Sequence, residues 1–318
     1  MRTRPPILHA LARLILAAVL LAVAESTSAH GEGGDEGAVL GSGGSGGEGA
    51  EQFVDEGVSR RMTMVRELMD GNRNGDAITQ MEEMDSRSKS YNRYENAILH
   101  QTLGYAYATA GAYPKAVAAF QECLDYKALP RDTTFAVQQN LGQLYIAAEH
   151  YGKGVAVLED WLAKAKPASV TPQLRVLLAN AYFHQKAYAN AAAQLRQALA
   201  AVSHPDKSWY QLAAAVDQQW GRYADMAAVL RQALAVYPRE KAFWQQLAAA
   251  YRETHDDRRA AAALALACGT GLCDERDTLY LAQLYLYLGA PLKAADLLND
   301  GIKQGRVSGD PEHWLLLA

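Results

Sequence analysis

The chain has 318 residues, half of them hydrophobic, enough for one long or two ordinary domains. Lys and Arg number 31 against 35 Asp and Glu, a net charge of −4, so no basic face is implied and no nucleic-acid partner is expected. Phe is scarce while Ala, Leu and Gln are frequent, which favours helices over strands.

Residues 1–29 read as a secretory signal peptide. Arg2, Arg4 and Arg13 give a positive start, LILAAVLLAVA (Leu14 to Ala24) is an uncharged apolar run, and small residues follow to Ala29. The run is short for a membrane span of ~20 residues; the alternative is an uncleaved anchor in the inner membrane. No Cys lies near the cleavage region, which argues against a lipoprotein. A periplasmic chain is expected. Residues 30–50 follow, with Gly at ten of 21 positions. Such a segment buries too little apolar surface to offset its ordering entropy, so a disordered linker is expected, with His30, Glu32 and Asp35 solvated rather than metal-bound.

From residue 51 to 318 one pattern recurs. A first helix carries L-[G/A]-x-x-Y, and nine residues after the Tyr a small residue opens A-x-x-x-[F/L]-x-x-[A/C]-L on a second helix. Leu103-Gly104-x-x-Tyr107 leads to Ala116, Phe120 and Cys123; Leu141-Gly142-x-x-Tyr145 leads to Gly154 and Leu158; Leu281-Ala282-x-x-Tyr285 leads to Ala294 and Leu298. The leading positions are Met64, Leu103, Leu141, Leu178, Ala213, Leu247, Leu281 and Leu317, spaced 34 to 39 residues apart. The small residue after each leading position lets two antiparallel helices approach closely, and the larger side chains fill the space towards the next repeat. The period and pattern identify a tetratricopeptide-repeat (TPR) protein: an all-α superhelical solenoid of about seven helix-turn-helix repeats.

The first, degenerate repeat contains DGNRNGD, Asp70 to Asp76, which opens like a calcium loop. The repeat register puts Met64 and Leu68 on a first helix and Ala77, Met81 and Met84 on a second, leaving Asp70 to Asp76 as the turn between them. In a calcium loop the last, bidentate ligand would fall on Met81, and a thioether cannot replace a carboxylate for a hard cation. No metal and no cofactor are expected.

Catalytic patterns are absent. The chain has no G-x-S-x-G or H-E-x-x-H, and GKG at Gly152 to Gly154 lacks the rest of a phosphate loop. The chain is therefore read as a non-enzyme. Of three cysteines, Cys123 falls in a packing slot. Cys268 and Cys273 flank a Gly-rich turn, and a disulfide between them and two separate thiols both remain open.

First helices of a TPR array line its concave groove, so partner-binding residues are expected at fixed offsets from each leading residue. These are Gln101, Tyr105, Gln139, Gln143, Val176, Asn180, Phe183 and His184, followed by Gln211, Gln218, Gln219, Gln245, Arg252, Glu253, Leu279, Gln283 and Tyr287. Amides can donate to and accept from a peptide backbone while rings cover apolar side chains, so the expected partner is a protein segment.

The second half carries a narrower resemblance. Pro238-x5-Trp244-x-x-Leu247-Ala248 and LGAPLKAADLL (Leu288 to Leu298) resemble the periplasmic TPR proteins associated with TonB, ExbB and ExbD components of Gram-negative bacteria. The resemblance implies an accessory role in TonB-dependent energy transduction, with membrane association only through partners. A TPR scaffold for cell-envelope or exopolysaccharide assembly is the alternative. A last repeat begins at about residue 312 and is cut off at Ala318, as expected either of a truncated chain or of an array whose end a partner covers.

Overall fold

The computed structural model describes residues 54–308. The expected signal peptide, the Gly-rich linker and the partial last repeat lie outside the described residues. Within them the protein is all-helical, with fourteen α-helices and no strand. Two compact units divide after Gln185.

The first unit contains α1 (Glu56–Asp70), α2 (Asn74–Asp85), α3 (Arg93–Thr109), α4 (Tyr113–Asp125), α5 (Arg131–Ala147), α6 (Tyr151–Lys164) and α7 (Pro172–His184). The second contains α8 (Tyr188–Ala200), α9 (Lys207–Trp220), α10 (Tyr223–Val236), α11 (Lys241–Glu253), α12 (Asp257–Gly269), α13 (Glu275–Tyr287) and α14 (Pro291–Lys303).

Local chemistry sets the helix ends. Asn92 accepts from the Glu95 amide while the Glu95 carboxylate accepts from the Asn92 amide, a reciprocal cap that starts α3. Asp274 and Asp277 do the same for α13. Pro114 and Pro291 sit in first helical turns, where their missing N–H costs nothing. The turn from α3 to α4 reverses through Gly111 at φ 74°, and that from α9 to α10 through Gly221 at φ 73°.

Packing follows the repeat. Leu103, Leu141, Leu178, Ala213, Leu247 and Leu281 are all buried. A Cβ added to Gly104 would stand 2.5 Å from two ring carbons of Phe120 on α4, and one on Gly142 would stand 2.6 Å from Leu158 Cγ on α6. Glycine is therefore what lets α3 meet α4 and α5 meet α6 so closely. Met81, Leu99, Phe120 and Leu144 anchor the core of the first unit. Leu230, Phe243, Leu264 and Leu281 anchor that of the second.

The first repeat departs from its expected register. Met64 is 52 % exposed, whereas Val65, one residue on, is 1 % exposed. Val58 and Val65 are the buried residues of α1, with Met62 and Met69 packed beside them, a stripe at helical spacing. Val65 thus holds the core position assigned to Met64. The Asp70 run does form the inter-helix turn: α2 begins at Asn74, Asn72 takes a left-handed φ of 57°, and Ala77 and Met81 lie fully buried on the α2 inner face. In a calcium loop starting at Asp70, residues 74, 76 and 78 would supply ligands from the loop, whereas here they already lie on α2.

Candidate partner-binding face

In the first unit the expected groove residues lie on α3, α5 and α7, and several of them work inside the fold. Tyr105 is half-buried: its hydroxyl accepts from Asn140 Nδ2 at 3.0 Å, and its ring meets Phe120 edge-on at 5.1 Å. Burial raises the pKa of its phenol. Tyr105 is a brace between α3, α4 and α5. Val176 and Asn180, both expected to face a partner, are buried, and the Asn180 Oδ1 lacks a hydrogen-bond partner. Gln101, Gln139, Gln143 and Phe183 are partly accessible, and the exposed His184 stacks its ring on Tyr151 at 4.3 Å.

The second unit holds a pocket. About 830 Å³ in volume, it is lined by Gln245 from α11, Leu264 from α12, Ser308, and Glu275, Arg276, Asp277, Leu279, Tyr280 and Gln283 from α13. It brings together Gln245, Leu279 and Gln283, three of the expected residues. Gln211, Gln218, Arg252 and Tyr287 lie outside its lining, although Tyr287 is 76 % exposed.

A polar network fixes the pocket wall. Gln245 Nε2 donates to Asp277 Oδ1 at 2.7 Å, while Lys241 Nζ reaches Asp274 at 2.5 Å and Asp277 at 2.6 Å. Hydrogen bonds to those two carboxylates raise the Lys241 pKa, and the bond from Lys241 holds the Asp274 carboxyl below the usual carboxylate range. Arg252 donates to the Tyr280 hydroxyl at 2.6 Å. The Ser308 amide donates to Glu275 at 2.6 Å, which brings the chain after α14 back to the start of α13.

Glu275, Arg276, Asp277 and Tyr280 were not among the expected residues: the first three lie in the first turn of α13, which the offsets do not reach, and Tyr280 falls between two of the offsets. The D-x-x-D of Asp274 and Asp277, a capping pattern, is the sequence signal that marks this turn. Chemically the pocket offers side-chain amides, a phenol, a guanidinium and carboxylates around Leu279, a mixture suited to hydrogen-bonding a polypeptide backbone. No group of three or more His, Cys, Asp or Glu able to hold a metal occurs among the described residues.

In the α12–α13 turn, Cys268 and Cys273 form a disulfide, and both are buried. Cys123 is a buried free thiol, and burial pushes its pKa up to about 12.

No protein-family model matches the chain, and no curated protein matches it. Solved structures do. The C-terminal part of a TPR repeat-containing protein from Cytophaga hutchinsonii is 10 % identical, with a TM-score of 0.52 over 80 % of this chain and 99 % of that one. A tetratricopeptide repeat protein from Parabacteroides merdae is 12 % identical, with a TM-score of 0.48 over 83 % and 98 %. YrrB, described as a TPR protein with an unusual peptide-binding site, is 13 % identical, with a TM-score of 0.46 over 59 % and 90 %. The first of these, together with the helix pattern, shows the fold: that of a tetratricopeptide-repeat solenoid.

Proposed function

We propose that this protein is a non-enzymatic interaction module whose second unit holds an extended segment of a partner protein. The observation that carries this reading is the pocket of about 830 Å³ on the first-helix face, walled by Gln245, Asp277, Tyr280 and Gln283. Its amides and hydroxyl match the alternating donors and acceptors of a peptide backbone, and Leu279 offers apolar contact. The sequence resemblance of Pro238 to Leu298 supports a periplasmic site of action, after export by the N-terminal segment, and a TonB-system protein as the partner.

The test uses the full chain and the purified periplasmic segments of TonB and ExbD. Binding is measured by calorimetry for the wild type and for Gln283→Ala and Leu279→Asp, with Arg231→Ala on α10 as the control outside the pocket. Micromolar binding that weakens at least tenfold in Leu279→Asp supports the assignment. Failure of both segments to bind removes the TonB reading. Binding that is insensitive to both pocket variants removes the pocket.

A further inference from the structure

Six first helices can be compared four residues after their leading residue. Tyr107, Tyr145, Tyr182, Tyr251 and Tyr285 hold this position in five of them, and Asp217 holds it in α9. The Tyr belongs to a small recurring arrangement. Tyr107 donates to Glu82 at 2.7 Å; Lys115 bonds the same carboxylate oxygen at 3.1 Å and lies 5.0 Å from the Tyr107 ring centre. Lys153 over Tyr145, Arg259 over Tyr251 and Lys293 over Tyr285 repeat the cation–ring contact at 5.7 to 5.9 Å, each eight residues after its Tyr.

Around α9 the arrangement is inverted in charge. Arg196 stands where Glu82 would be, Asp217 replaces the Tyr, and Asp225 replaces the Lys. Asp225 lies 3.7 Å from Arg196 and 3.9 Å from Arg222. Asp217 is only 3 % exposed, and its Oδ1 has no hydrogen-bond partner. The charged groups that face it are Arg196 from α8, with Arg222 and Asp225 from the start of α10.

We propose that Asp217 is a proton-operated latch of the second unit. Neutral, it lets α8, α9 and α10 pack together with Arg196 committed to Asp225; ionised, it competes with Asp225 for Arg196 and Arg222 and loosens that three-helix contact. A buried carboxylate with an unpaired oxygen is disfavoured, and the neighbouring Asp225 charge adds to this. Together they raise the Asp217 pKa from 3.8 to about 6, against the opposing pull of Arg196 and Arg222. Because the folded value lies above the unfolded one, the stabilisation is complete below the unfolded value and is lost as pH rises through about 6.

The experiment is a carbon-13 carboxyl NMR titration of the full chain, with the Asp217 resonance assigned by its loss in Asp217→Asn. Thermal melts between pH 5 and 7.5 accompany it. The expected result is a titration midpoint near pH 6. The wild-type Tm should fall across the window while that of Asp217→Asn stays level. Asp217→Tyr, which restores the residue of the other repeats, is the second variant and should also melt at a level Tm. Hydrogen exchange in α8, α9 and α10 should quicken selectively at the upper end of the window. Titration of Asp217 in the ordinary carboxylate range overturns the proposal, as do parallel pH profiles for wild type and Asp217→Asn. If neither variant folds, the wild-type exchange pattern decides, and an equal change in both units counts against the latch.

Discussion

At Gly104 the α3 backbone runs so near Phe120 that even one added carbon would collide with the ring. Gly104→Leu is therefore expected to destabilise the first unit by about 1–3 kcal/mol or more, read as a lower denaturant midpoint. An unchanged midpoint would show that α3 and α4 are not in this contact. Tyr105 calls for a different expectation. Since its ring packs on Phe120 and its hydroxyl engages Asn140, Tyr105→Phe should cost about 1 kcal/mol for the lost hydrogen bond. Tyr105→Ala should lose more, through packing, so a binding defect in that variant would have to be separated from loss of fold by circular dichroism. The repeat pattern places Tyr105 on the first-helix face but cannot show that its hydrogen-bond partner lies on the next first helix. Asp217 stands where five other repeats have Tyr, and only the fold shows that it is buried.

Helices and turns were largely legible because their signals are local. Small residues after the leading positions, prolines in first turns and glycines at helix ends fix where pairs begin and reverse. The first repeat shows the limit: Met64 and Val65 are both apolar, and only packing against α2 and α3 decides which faces inward. The α12–α13 turn shows another. Spacing alone leaves Cys268 and Cys273 free or joined, whereas the fold brings their Cα atoms to 4.7 Å. The disulfide closes a short loop, so removing it is expected to cost the second unit about 2 kcal/mol. Chemical denaturation with and without reductant measures this, and Cys268→Ser/Cys273→Ser should no longer respond to reductant. A wild type equally stable in both conditions would mean that the bridge adds nothing.

At the scale of the molecule, the repeat period was enough to specify the all-helical TPR array of the described residues, because one short pattern is written many times. The pocket was half legible: Gln245, Leu279 and Gln283 follow from the offsets, but the rest of its wall comes from α12, from the first turn of α13 and from the return of the chain at Ser308. Repeat arrays gain their stability mainly from nearest-neighbour contacts. Damage should then stay local. In Gly104→Leu, hydrogen exchange is expected to rise in α3 and α4 while α11 to α14 keep their protection. Equal loss of protection throughout would indicate a single cooperative block.

The helix contacts also bear on how the chain reaches this state. Within each unit the principal packed pairs join helices that are neighbours or next-but-one in sequence. Among the described residues no strand must find a distant partner, so little loop-closure entropy stands between the unfolded helices and their first stable pairs, and chains of this kind fold quickly for their length. Each helical pair can form as soon as its second helix is available, in the order of synthesis. Assembly of this protein is thus a sequence of short local steps, each using the surface left by the one before.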